Sequence, residues 1–333
     1  MSTRITVLGA GSYGTALAIQ IARLGNDTWL WGRDAGQMKK LAHDRVNAEY
    51  LPGCKFPPTL KPTSDLREAV RDADDLLVAV PSHALHAVLR IVAAMLRPEQ
   101  GIASACKGLE PDTGKLVHEV VGDVLGANRK FAAISGPTFA KEVGLGMPTA
   151  VTVASVDERY ADKIVGALHG NGFRAYTSTD VIGVEVGGSV KNVLAIAVGI
   201  ADGMGLGANT RAGVITRGLA EIMRLGEALG GQRETFMGLA GLGDLVLTCT
   251  DDQSRNRRMG LMLAKGKSLA EAHATIRQVV EGVRAAPEVM RLARKHGVDM
   301  PISEQVLRVI TGEIKPFEAV RALATRPPRA ENE

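Results

Sequence analysis

The sequence predicts an α/β fold in two parts, a mostly parallel sheet domain over residues 1–180 and an all-helical domain over residues 181–333. Three observations carry this reading. In the first half short β-branched runs alternate with helix-length segments, the rhythm of βαβ units with right-handed crossovers. Residues 9–14 read Gly-Ala-Gly-Ser-Tyr-Gly between the first run and the first helical segment. Beyond residue 180 only segments of helical period remain. At roughly 150 residues per domain, a chain of 333 residues has room for two cores.

Taken in order, strands are expected at 5–9, 28–32, 76–80, 101–106, 131–135 and 150–154, with 174–177 as a further candidate. Helices fill the gaps at 14–23, 83–96, 113–125 and 156–168. The second half supplies helices at 184–201, 210–229, 255–264, 269–277, 284–296 and 303–311. Residues 326–333 are Pro-rich and charged and read as a frayed tail. There is no internal repeat and no low-complexity segment.

Composition narrows the function classes. The chain is 45% hydrophobic and 23% charged, enough to bury a core, which excludes wholesale disorder. It holds 38 glycines, where average usage gives about 23, and they show no three-residue period, so collagen is excluded. Fifteen of them fall between Gly183 and Gly243, a stretch whose only aromatic is Phe236. The whole chain has 12 Phe, Trp and Tyr and a net charge of +4 from 40 basic and 36 acidic residues. Nucleic acid is therefore a poor partner, and a small anionic ligand a better one. Cys54, Cys106 and Cys249 are odd in number and lack CxxC spacing, so they read as reduced thiols, with neither disulfides nor a zinc site. The start runs from Met1 straight into Ile5-Thr6-Val7-Leu8 without a signal-peptide pattern, which predicts a cytoplasmic protein. The most apolar stretch, 186–201, contains Lys191 and Asn192 and at 16 residues is too short and polar for a membrane span.

The chemistry begins at residues 9–14. In GxGxxG, Gly9 permits the tight turn, Gly11 lets backbone approach a pyrophosphate, Gly14 lets helix meet strand, and the amides at the helix start face the anion. Placed between a strand and a helix, the motif predicts a Rossmann-type dinucleotide site. The second strand ends in Trp31-Gly32-Arg33-Asp34. Asp34 has the spacing of the acid that holds an NAD ribose, Arg33 suits the 2′-phosphate of NADP, and a solvated Arg-Asp turn is the plain alternative. NADP or NAD is the expected cofactor, with NADPH favoured.

Lys107 and the turn Gly136-Pro137-Thr138 both follow predicted strands at the sheet edge where open parallel sheets bind ligands, though a surface lysine and an ordinary turn fit the local sequence too. Lys191 interrupts a helix that is otherwise apolar nearly all round, with Gly187 and Gly188 one turn earlier clearing space beside its amine. It is either a proton-transfer group with a lowered pKa or a snorkelling structural lysine. Ser254 reads as an N-cap that leaves Arg255, Asn256 and Arg257 in the first helical turn, where cations oppose the helix dipole unless an anion sits there. That predicts a phosphate site; the alternative is a solvated basic face. Asp244, among Gly241 and Gly243, either orients Lys191 or a substrate hydroxyl or caps a helix. His83 and His86 have no carboxylate neighbour in sequence and read as a surface face. No HExxH, GxSxG or P-loop pattern occurs, and no metal site is expected.

Taken jointly, Gly9-Ala-Gly-Ser-Tyr-Gly14, Lys107-Gly108, Ser135-Gly-Pro-Thr-Phe-Ala140, Gly188-Ser-Val-Lys-Asn192, Gly241-Leu-Gly-Asp244 and Ser254-Arg255-Asn256 resemble the bacterial NAD(P)-dependent glycerol-3-phosphate dehydrogenases over essentially the whole chain. One departure is Tyr13, where that family commonly has Trp. The resemblance implies reversible interconversion of sn-glycerol 3-phosphate and dihydroxyacetone phosphate, feeding phospholipid synthesis, and a helical second domain like that of 6-phosphogluconate dehydrogenases. It assigns proton transfer to Lys191. It places substrate against Lys107, Gly136, Thr138, Lys191, Asp244, Ser254, Arg255 and Asn256. It places cofactor against Ser12, Tyr13, Arg33, Lys107, Ala140, Arg255, Val279 and Glu281, beside the Gly9, Gly11 and Gly14 of the motif. The oligomeric state stays open, with a homodimer the first assembly to test. The alternatives are a dehydrogenase for a 3-hydroxy acid or acyl-CoA and a nucleotide-sensing regulator without turnover.

Overall fold

A computed structural model describes residues 3–328 and 330. Residues 329 and 331–333 of the tail expected to fray lie outside the described residues. The chain opens with β1 (Arg4–Leu8), α1 (Ser12–Arg23), β2 (Asp27–Trp31) and α2 (Ala35–Asp44). A hairpin follows from β3 (Val46–Asn47) and β4 (Leu51–Lys55), then β5 (Leu60–Thr63), α3 (Leu66–Arg71), β6 (Asp75–Val78) and α4 (Ser82–Ala93). Next come β7 (Gly101–Ser104), α5 (Val117–Leu125), β8 (Phe131–Ser135), α6 (Ala140–Leu145), β9 (Thr149–Ala154), α7 (Glu158–Leu168) and β10 (Phe173–Ser178).

Eight strands form one sheet in the order β10-β9-β8-β7-β6-β1-β2-β5. All neighbours are parallel except β8 with β9, where the sheet reverses. The strands pair in register so that Leu8 meets Trp31 on one side and Val78 on the other, which aligns the carboxyl ends of β1, β2 and β6. The chain builds outward from β1 through β2 to β5, then returns to place β6 on the other flank. That switch point between β1 and β6 is where an open α/β sheet leaves a crevice. The hairpin and β5 escape the pattern rules because Pro52, Gly53 and Pro62 interrupt them. Pro62 is tolerated because β5 is the edge strand.

Among the described residues no strand follows Ser178. The remaining helices are α8 (Val181–Gly203), α9 (Gly207–Ala228), α10 (Arg233–Met237), α11 (Asp244–Thr250), α12 (Arg255–Ala264), α13 (Leu269–Ile276), α14 (Glu281–Lys295), α15 (Pro301–Ile310) and α16 (Pro316–Ala324), with one π-helical turn at Leu239–Gly243 before α11. The Asp180 carboxylate caps α8, accepting from Gly183 N at 2.8 Å. This helix has 23 residues, longer than the expected 184–201, and by length and composition alone it would cross a membrane. It is a core helix instead, because 89% of its most apolar window is buried inside the protein. The helix expected at 113–125 starts later, at Val117, because Asp112 and Gly114 turn the chain with φ of 66° and 73°.

The glycine surplus lets helices cross α8 at backbone contact. A Cβ on Gly199 would lie 2.1 Å from Arg257 O, and one on Gly260 2.2 Å from Ile196 O. A Cβ on Gly282 would stand 2.3 Å from Asn192 O, so α12 and α14 both press against α8 at positions where only hydrogen fits. Around these contacts sits one apolar core drawn from α8, α9, α12, α14 and α15, while two further clusters cover the two faces of the sheet.

Candidate active site

A cleft of about 1080 Å³ runs from the first turn of α1 to the first turns of α12 and α14. Its floor carries a three-membered charge cluster. Lys191, in the middle of α8 and 6% exposed, places Nζ 2.6 Å from Asp244 Oδ1 and 2.8 Å from the Thr248 hydroxyl. Lys107, just beyond β7, places Nζ 2.7 Å from Asp244 Oδ2 and donates to Gly136 O at 2.9 Å. Asp244 is 1% exposed and opens α11 directly after the π-helical turn. The snorkelling reading of Lys191 and the surface reading of Lys107 are therefore replaced by two lysines that share one buried carboxylate.

One carboxylate cannot neutralise two ammonium groups. Burial pushes the Lys191 amine down to about 8 and outweighs the pull of Asp244, with Lys107 pushing the same way. Burial also works against the charge on Lys107, but Asp244 overcomes it and holds that amine above its ordinary value. Burial disfavours the Asp244 carboxylate, yet the two lysines beside it keep it below its usual range. The cluster thus releases its first proton from Lys191, the more enclosed of the two amines. The space expected beside that amine is filled: a Cβ on Gly187 would meet Ala240 O at 2.6 Å, and one on Gly188 would meet Ser135 Oγ at 2.7 Å. The small residues bring the Asp244 turn and Lys107 up to α8.

At the dinucleotide end, the loop of residues 9–14 is closed behind and open in front. A Cβ on Gly14 would lie 2.0 Å from Gly9 O, and one on Gly9, whose φ is 120°, 2.7 Å from Ala79 O. A Cβ on Gly11 would meet nothing within 4 Å. The N-cap of α1 is Gly11, so no side chain occupies the first-turn amides, and Ser12 and Tyr13 line the cleft. Such a cradle fits a dinucleotide pyrophosphate. The Asp34 carboxylate is taken up as the cap of α2, accepting from Gln37 N at 2.7 Å. Arg33 is exposed and forms no ion pair among the described residues.

Thr138 and Ala140 line the cleft on the β8 side, and the Thr138 hydroxyl lies 2.9 Å from that of Tyr13. Gly136 has φ of 152° and runs against β9, where a Cβ would be 2.9 Å from Ala150 O. On the opposite wall the Ser254 hydroxyl caps α12, accepting from Arg257 N at 3.1 Å. Arg257 is drawn inward, donating to Asp202 at 2.7 Å and Asp252 at 2.6 Å, so it needs no bound anion. Arg255 lines the cleft and donates to Val279 O at 3.0 Å. Glu281, at the start of α14, accepts from the Ser82 hydroxyl at 3.0 Å and also faces the cleft.

Asn192 and Thr248 line the cleft too, and residue-by-residue reading passed over both. Asn192 accepts from Asn256 Nδ2 at 2.8 Å, and Asn256 Oδ1 accepts from Gly282 N at 2.9 Å, a relay that ties α8, α12 and α14 together. The available signals were the polar interruption Lys191-Asn192 and the one-turn spacing from Asp244 to Thr248. His83 and His86 are exposed, as expected of a surface face, and His86 Nδ1 stands 2.6 Å from Glu110, a carboxylate that is distant in sequence. No cluster of His, Cys, Asp and Glu suited to a metal occurs among the described residues.

Residues 4–161 match the family described as NAD-dependent glycerol-3-phosphate dehydrogenase N-terminus, and residues 180–321 match the corresponding C-terminus. The chain is 54% identical to the glycerol-3-phosphate dehydrogenase [NAD(P)+] of Aeromonas salmonicida over 98% of both chains. It is 52% identical to the enzyme of the same name from Xanthomonas euvesicatoria, over 98% of this chain and 96% of that one. A crystal structure of glycerol-3-phosphate dehydrogenase from Coxiella burnetii superposes with a TM-score of 0.94 at 46% identity, covering 98% of this chain and 99% of the other. By fold, motif and sequence, the chain belongs to the NAD-dependent glycerol-3-phosphate dehydrogenase family.

Proposed function

We propose that the protein interconverts dihydroxyacetone phosphate and sn-glycerol 3-phosphate, with Lys191 as the group that gives and takes the proton. The observation that carries this reading is the shared carboxylate, which leaves Lys191 an ammonium ion with a pKa near 8 on the floor of the cleft. A bound nicotinamide cofactor supplies the hydride. In the reductive direction Lys191 donates a proton to the oxygen on C2 as negative charge develops there, and the neutral amine takes it back in the reverse direction. Lys107 faces the same oxygen as a fixed positive charge, held by Asp244 and Gly136 O. Thr138, Ser254, Asn256 and the Arg255 guanidinium hold the phosphate end.

Ser12, Tyr13, Ala140, Val279 and Glu281 hold the dinucleotide along the cleft they line. NADPH is the preferred form, because Asp34 is spent on capping α2 while Arg33 stands exposed at the end of β2. We place the domain boundary at residue 180, the enzyme in the cytoplasm supplying phospholipid synthesis, and a homodimer as the assembly to test by sedimentation.

Following NADPH absorbance with dihydroxyacetone phosphate, then with 3-oxo acids and acyl-CoA carbonyls, tests the reading. Oxidation should occur with the first alone. None with any substrate would favour a nucleotide sensor, and preference for an acyl substrate would replace the proposed one. Lys191→Ala should lose most of kcat and still bind NADPH; near-normal turnover would remove Lys191 from its role.

A further inference from the structure

A closed ring of contacts joins the dinucleotide loop to the substrate side of the cleft. Lys107 Nζ sits 5.5 Å from the centroid of the Tyr13 ring, within cation–π range. The same Nζ donates to Gly136 O at 2.9 Å. The Thr138 hydroxyl lies 3.1 Å from that carbonyl and 2.9 Å from the Tyr13 hydroxyl, which closes the ring. The order of donors follows from valence. A carbonyl oxygen only accepts and threonine has one proton, so Thr138 donates to Gly136 O and Tyr13 donates to Thr138. Burial raises the Tyr13 hydroxyl above its ordinary value, so it keeps that proton throughout the neutral range. The second lone pair of Thr138 Oγ1 is left for a ligand.

Tyr13 is the second residue of α1, inside the phosphate loop itself. We propose that Tyr13 is a positioning residue for the reaction: its hydroxyl sets the rotamer of Thr138, its ring face seats Lys107, and a carbonyl phosphate substrate therefore meets two groups already aligned by the loop that carries the dinucleotide. This rests on the reading that Lys107 and Thr138 meet substrate. In the open cleft water can replace the tyrosine hydroxyl beside Thr138. Once the dinucleotide fills the cleft and water is excluded, nothing replaces it. The loss of that hydroxyl should accordingly appear in how the cofactor-loaded enzyme handles substrate, with little effect on cofactor binding.

The experiment compares wild type, Tyr13→Phe, Thr138→Ala and the double variant. It measures NADPH affinity by fluorescence titration, initial rates against dihydroxyacetone phosphate, and thermal melting. Tyr13→Phe keeps the ring and removes only the hydroxyl. Its NADPH Kd should stay within about twofold and its melting temperature unchanged, while KM for dihydroxyacetone phosphate rises about fivefold, the size of one neutral hydrogen bond. In the Thr138→Ala background the same change should have no further effect, because the hydroxyl acts through Thr138. An unchanged KM in Tyr13→Phe, an equal penalty in both backgrounds, or a loss of NADPH affinity large enough to explain the rates would each overturn the proposal while leaving the assigned reaction standing. Absence of NADPH oxidation by the wild type would instead overturn the assigned reaction, and this proposal with it.

Discussion

Asp244→Asn removes one negative charge from between two buried ammonium groups while keeping the shape of the side chain. At an effective dielectric of about 20, a pair of unit charges about 4 Å apart is worth about 4 kcal/mol, roughly a thousandfold in proton affinity. Lys191 already sits near 8 with the carboxylate in place, so without it the amine is neutral across the neutral range. Reduction requires the ammonium form. In the wild type about nine-tenths of Lys191 is protonated at pH 7, and the reductive kcat should fall about tenfold per pH unit above 8. In the variant this falling limb moves to lower pH, so reductive kcat at pH 7 should drop at least about a hundredfold and recover as the solution is made more acidic. The oxidative direction needs the neutral amine and should show the opposite slope. Breaking a buried pair on one side costs about 3–5 kcal/mol of stability, so circular dichroism must first show that the variant is folded at the assay temperature. Lys191→Met serves as the companion, keeping Asp244 paired with Lys107 while abolishing the falling limb together with turnover. A folded Asp244→Asn enzyme whose limb stays near pH 8, or whose kcat at pH 7 is within about threefold of wild type, would refute the argument.

Arg33→Ala should weaken NADPH binding about five- to tenfold, the modest worth of an exposed charge-assisted contact, and change NADH binding less than twofold. Equal losses in the two titrations would remove the 2′-phosphate contact. Gly14→Ala forces a methyl onto the carbonyl of Gly9, a backbone atom that cannot swing aside, so α1 must lift from the sheet. We expect about 2–3 kcal/mol of destabilisation and no measurable dinucleotide binding by calorimetry; a variant that melts and binds like wild type would contradict the packing argument. Glu221 is 1% exposed and accepts from Ile302 N, Ser303 N and the Ser303 hydroxyl at the start of α15, and burial pushes its carboxyl up to about 7. Its unfolded value is near 4.3, so the folded protein holds the extra proton between about pH 4.3 and 7, and the stability this confers is lost as pH rises through that window. Glutamine does not titrate. The advantage of wild type over Glu221→Gln in denaturant unfolding should thus shrink by about 3 kcal/mol from pH 4.5 to 7.5, and parallel curves would rule out a raised carboxyl there.

Which features the sequence discloses depends on how far apart their causes lie along the chain. The βαβ rhythm, the glycine loop and the cap at Ser254 are local, since each is set within a few residues of itself, and these are the elements found where expected. β5 is set instead by its place at the edge of the sheet, where proline costs little, and the hairpin by its packing on α1 and α6 apart from that sheet, so no periodic pattern announces them. Lys191 was legible because a charge inside an apolar helix is a local contradiction. Asp244 is offered by the sequence as its partner only beside two other roles, and nothing there shows that Lys107 shares it, because Asp244 lies 53 residues from Lys191 and 137 from Lys107 and meets them only after folding. Arg255 and Arg257 show the same limit: neighbours in one helical turn, they look alike until Asp202 and Asp252 claim the second and leave the first to the cleft. The glycine surplus was countable from composition, yet its purpose rests on which backbone each missing Cβ would strike. The charge cluster joins these threads, since Lys107 belongs to the sheet domain and Lys191 and Asp244 to the helical one. The proton affinity of Lys191 is therefore a property of the docked pair of domains, and neither domain alone can set it.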